Sequence, residues 1–63
     1  MNTNAATRSF TGTPGNRRDR ARFDALTYWD RAIVCKIAGR LYDGSRTVAR
    51  CWAEALDAVE DLD

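Results

Sequence analysis

Apolar residues fall into two runs at helical spacing, separated by Asp43-Gly44 and preceded by a polar stretch. In the first run Phe23, Leu26, Ile33, Ile37 and Leu41 recur on one side of a helix, joined by Val34 and interrupted by Asp30. Asn16 suits the N-cap, with Asp19 placed three residues on to reach back, and no proline follows, so the spacing predicts one helix over about 17–42. Asp43-Gly44 ends it, Ser45 is placed to cap a second helix over about 46–62, and the face of that helix is Val48, Cys51, Trp52, Ala55, Val59 and Leu62. Folding back at the turn, 43–44, sets Leu41 beside Val48, Ile37 beside Trp52, Ile33 beside Ala55 and Leu26 beside Leu62. The predicted fold is all-α: an antiparallel two-helix hairpin over 16–63, preceded by a flexible basic arm over 1–15. A short strand around Arg8–Thr11 is the one regular element that the flexible arm allows.

The long first helix carries a second apolar set, nearly opposite the first: Ala21, Ala25, Tyr28, Ala32, Cys35, Gly39 and Tyr42. Ala25, Ala32 and Gly39 repeat at heptad spacing, and so do Tyr28, Cys35 and Tyr42, which makes a seam with small residues at one position, where helices approach closely. A hairpin alone leaves this seam uncovered. Ala25, Tyr28, Ala32, Cys35, Gly39 and Tyr42 are therefore expected to form a protein interface, with a second copy in a four-helix bundle or with another protein. The competing expectation is that the arm folds back and Phe10 covers part of it. The architecture resembles the small plasmid-encoded helical hairpins that dimerise into four-helix bundles; no motif is shared with them, so no residue role is carried over.

A chain of 63 residues is near the size at which a single core is marginal, so cover from a dimer or a partner is expected. Cys35 and Cys51 are the only thiols, and with no histidine a tetrahedral zinc site lacks ligands. Two free thiols fit a reducing compartment, no apolar run is long enough to span a bilayer, and Met1 to Gly15 lacks the apolar centre of a signal peptide. The expected location is the cytoplasm, without membrane association.

Charge is distributed unevenly although the net value is +1. All ten basic residues precede Cys51 and meet only Asp19, Asp24, Asp30 and Asp43, whereas Glu54, Asp57, Glu60, Asp61 and Asp63 follow with no base among them. Arg17, Arg18, Arg20 and Arg22 open the first helix, where positive charge opposes the macrodipole and asks for an anion. Arg18, Arg22, Trp29, Lys36 and Arg40 form a basic stripe with an aromatic inserted, a pattern suited to nucleic acid or another acidic partner. Internal pairing with Glu54, Asp57 and Asp61 is the plainer expectation, with Lys36 near Glu54. Residues 37–52 also align loosely with a helix-turn-helix, which would aim Arg46, Thr47, Ala49 and Arg50 at a major groove. Tyr42 stands where that turn usually has glycine, and the acidic end of the second helix repels phosphate.

Catalytic chemistry is not expected. No histidine activates a cysteine or serine, no glycine-rich phosphate loop is present, and the carboxylates lie mostly on one exposed stripe, so no cofactor, metal or small-molecule substrate is anticipated. The expected function is a small non-enzymatic interaction protein that binds and modulates or inhibits a larger protein, in the style of a phage or mobile-element inhibitor. The alternative is a nucleic-acid-binding regulator that uses the arginine arm and the helix-turn-helix-like segment.

Overall fold

The computed structural model describes residues 10–62 and is all-helical, with no strand among them. Three helices follow in order: α1, Arg17–Asp24; α2, Tyr28–Leu41; and α3, Val48–Leu62. The expected single helix over 17–42 is thus two helices. At the start of α1 the Asn16 side chain accepts from the N–H groups of Arg18 and Asp19, as its sequence position implied. At Ala25 the chain leaves the helix, and Thr27 begins a new one, its Oγ1 accepting from the Asp30 N–H at 3.2 Å. Arg31 secures the break from the far side: its Nε donates to the Leu26 carbonyl at 3.1 Å and its Nη2 to that of Asp24 at 3.3 Å. A cation set against the last carbonyl of α1 and one just past it satisfies acceptors that have no helical partner and complements the dipole.

The turn is also wider than 43–44. Tyr42 is the C-cap of α2, Gly44 takes φ +93°, and Thr47, not Ser45, caps α3 by accepting from the Arg50 N–H at 3.1 Å. Ser45 instead donates both its N–H and its hydroxyl to Asp43 Oδ1, at 2.9 and 2.6 Å, tightening the link. Arg46 repeats the device of Arg31, donating from Nη1 to the Leu41 carbonyl at 3.3 Å. Of the expected strand around Arg8–Thr11, Phe10 and Thr11 are not in a strand, and residues 8–9 lie outside the described residues.

Packing of α2 on α3 builds the hairpin, and α1 lies on α3 beside it. The core is Phe23 from α1, Val34 and Ala38 from α2, and Cys51, Trp52, Ala55, Leu56 and Val59 from α3, with Phe10, Leu26, Cys35, Ile37 and Leu41 packed at its edge. The buried face of α2 is therefore turned from the expected one. Val34 and Ala38 lie at its centre, while Ile33 is 41% exposed, and at the ends of α3 Val48 and Leu62 face solvent. Leu56, outside the expected face of α3, is completely buried. The break at 25–27 explains the rotation, because α2 starts afresh at Thr27 and does not inherit the phase of α1.

Candidate functional site

The segment before α1 reaches the core. Pro14 is fully buried, the Phe10 N–H donates to the Cys35 carbonyl at 3.1 Å, and the Phe10 ring lies 5.3 Å from Trp52 and 5.6 Å from Tyr42 between centroids. This anchoring splits the expected seam. Its C-terminal half is covered in part by the chain itself: Cys35 is half-buried and Gly39 is buried, while Tyr42 meets the Phe10 ring edge to face and still stands 42% exposed. Its N-terminal half is not continuous, since Ala25 is the exposed C-cap of α1, while Tyr28 and Ala32 stand on the solvent side of α2.

What replaces the seam is a different face. Trp29, Ile33, Lys36 and Arg40 follow at spacings of four, three and four residues, which places them on one ridge of α2, and Tyr28 and Ala32 flank its N-terminal end. Tyr28 and Trp29 are each 74% exposed and meet edge to face, 5.5 Å apart. Two large aromatics standing this far into water next to a half-exposed isoleucine form an apolar patch rimmed by cations. The two expected groups, seam and basic stripe, thus overlap on one helix, with Ile33 joining them.

The arginines divide into engaged and unengaged sets. Arg22 is a clamp between α1 and α3: it holds Asp19 at 3.0 Å, Asp57 at 2.6 Å and Glu60 through two hydrogen bonds of 2.9 and 3.1 Å. These bonds, Glu60 first, push the Arg22 guanidinium still further above its ordinary value and hold the Glu60 carboxyl below its own. Asp19 is the one buried charged residue of the described chain, and Arg22 supplies its partner. Glu54 is shared by Arg50 at 2.7 Å and Arg46 at 3.2 Å, with its carboxyl held low chiefly by the Arg50 hydrogen bond. Arg17, Arg18 and Arg20 on α1, and Lys36 and Arg40 on α2, are exposed and form no ion pair among the described residues. The expected Lys36–Glu54 pair is absent there, its carboxylate taken by Arg46 and Arg50.

No family model, curated protein or solved structure matches the chain. For the helix-turn-helix-like segment, Arg46 and Arg50 both turn to Glu54, Thr47 caps α3, and Ala49 is exposed. Burial pushes both thiols, Cys35 and Cys51, above the ordinary value, which keeps them protonated and weakly nucleophilic at neutral pH.

Ile33 was legible as apolar but not as exposed, because its orientation depends on where α2 starts. The signal was Thr27-Tyr28-Trp29-Asp30, a hydroxyl followed three residues on by a carboxylate, which marks a helix start inside the longer pattern.

Proposed function

We propose that the protein is a non-enzymatic interaction protein that docks on a larger protein through the solvent face of α2, and so modulates or inhibits it. The observation that carries this reading is the exposure of Tyr28 and Trp29, 74% each, in a chain that buries its other tryptophan, Trp52, almost completely. Burying two such aromatics on a partner is the kind of contribution that dominates interfaces. A phage- or mobile-element-borne inhibitor occluding a site on a larger complex is the concrete form this proposal takes. Action in the cytoplasm is part of it, supported by the unbridged Cys35 and Cys51; no helix among the described residues is long and apolar enough to cross a membrane.

A second reading, nucleic-acid binding, has one observation in its favour: Arg17, Arg18 and Arg20 crowd the start of α1 without an ion pair among the described residues. Against it stand the internal engagement of Arg22, Arg46 and Arg50 and the acidic solvent face of α3.

The experiment is affinity capture of tagged chain from cells of the native host, comparing wild type with Trp29→Glu and with Ala58→Gln, an exposed change on α3. Loss of a co-purifying protein with the first variant and its retention with the second supports docking through α2. Equal recovery with both, or recovery of nucleic acid alone that is lost on replacing Arg17, Arg18 and Arg20 by alanine, contradicts it.

A further inference from the structure

We infer that the surface recognised by α2 is an acidic amphipathic helix of the partner, with apolar side chains seated on Tyr28, Trp29, Ala32 and Ile33 and carboxylates paired with Lys36 and Arg40. This inference rests on the docking reading above and gives the partner its chemistry.

The ridge from Trp29 to Arg40 runs about 16 Å at the helical rise, the length of contact that two crossed or aligned helices share. Along it the chemistry is segregated: aromatic and aliphatic side chains occupy the first turns, and the two cations, four residues apart, occupy the last. A complementary helix needs the same division, apolar positions at one end and carboxylates four residues apart at the other.

Charge selects among occupants. Lys36 and Arg40 have no ion-pair partner among the described residues, whereas Arg22, Arg46 and Arg50 all do. A second copy offers α3 as its acidic face, but Glu54, Asp57 and Glu60 there are already held by those arginines, which leaves Asp61 as the one α3 carboxylate without an ion pair among the described residues, too few for both Lys36 and Arg40. Docking of one copy on another would exchange internal pairs for intermolecular ones, with little gained. A single-stranded nucleic acid has phosphates for the cations and could stack a base on the exposed faces of Tyr28 or Trp29, yet Ile33 and Ala32, which separate those rings from Lys36 and Arg40, offer a base no stacking plane and are left without a partner. An apolar ridge ending in carboxylates answers every group on this face.

The test uses synthetic helical peptides as probes against the full chain labelled with nitrogen-15. One alanine-rich peptide carries two leucines four residues apart, followed by two glutamates at the same spacing; matched peptides replace the glutamates by glutamine or by lysine, and an oligothymidylate serves as the anionic alternative. The glutamate peptide should bind about tenfold more tightly than the glutamine peptide, weaken with added salt, and shift amide resonances of α2. The Lys36→Glu, Arg40→Glu double variant, changed only at exposed positions, should reverse the order and prefer the lysine peptide. Equal affinity for all three peptides, tighter binding of oligothymidylate on the same face, or no binding of the glutamate peptide at millimolar concentration overturns the inference. Capture from host cells separates the two levels. If it depends on Trp29 but not on Lys36 and Arg40, the docking face stands and the acidic helix falls; if it depends on none of them, both fall.

Discussion

Replacing Phe10 by alanine removes the side chain that partly covers the C-terminal half of the α2 seam. Phe10 is half-buried, with its ring against Trp52 at 5.3 Å and Tyr42 at 5.6 Å. Full burial of a phenylalanine contributes roughly 1.5–3 kcal/mol, so half of it is about 1 kcal/mol. The two aromatic contacts add about 1 kcal/mol more, counted together because they share one ring. A loss of about 2 kcal/mol is therefore expected if the segment stays docked through Pro14 and the Phe10 N–H to the Cys35 carbonyl. If it lifts away, that hydrogen bond and the burial of Pro14 go too, and the loss approaches about 3 kcal/mol. Against the roughly 3–9 kcal/mol that a domain of this size commands, the variant stays folded but close to the margin. Urea denaturation gives the free energy. In a Trp29→Phe background Trp52 is the sole indole and reports its own cover, so Phe10→Ala should move its emission to longer wavelength. A loss under about 0.5 kcal/mol with the Trp52 emission unchanged would refute the roofing contact.

Leu56 is fully buried, so Leu56→Ala is expected to cost about 2–5 kcal/mol and lower the urea midpoint followed by circular dichroism, with much of the chain unfolded at 25 °C only at the upper end of that range; a cooperative transition as strong as wild type would contradict the core. Glu54, Glu60 and Asp43 are held below their ordinary values of 4.5, 4.5 and 3.8 by Arg50, Arg22 and Ser45 respectively. Their contribution is complete above those ordinary values and is lost as pH falls through the depressed folded ones, so helicity followed in an acid titration should be level near neutrality and decline only below about pH 4.5. A decline beginning above pH 6 would mean another group controls the fold. Cys51, with no exposure, should be alkylated only through unfolding, while half-buried Cys35 reacts first but more slowly than free cysteine; mass spectrometry of the time course distinguishes them, and equal rates would contradict the difference in burial.

Much of the architecture was legible because local rules and global packing agree. The Asn16 cap, the stop after Leu41 and the apolar face of α3 through Cys51, Trp52, Ala55 and Val59 all follow from spacing and turn chemistry. The break at 25–27 has no glycine or proline at Asp24, Ala25 or Leu26 to mark where α1 stops, and only the Thr27–Asp30 spacing marks where α2 starts. It is fixed instead by Thr27 and by Arg31 reaching back five and seven residues, the second of which is a tertiary contact that periodicity does not encode. Once the helix restarts, its phase shifts, and Ile33 moves from core to surface while Val34 and Ala38 take the centre. The same limit applies to the basic stripe. Sequence grouped Arg22 with Lys36 and Arg40, yet which arginine meets an acid depends on how α1 lies on α3, and only Arg22 of the three is placed to do so.

Whether the solvent face of α2 is the surface another protein covers is tested most directly by site-specific photo-cross-linking in host cells. With benzoylphenylalanine placed singly at positions 29, 33, 49 and 58, adducts to one larger protein are expected from 29 and 33 and not from 49 and 58, where α3 faces solvent. Adducts of equal yield from all four positions, or adducts from 29 and 33 with the mass of two copies of this 7.1 kDa chain, would contradict docking through α2.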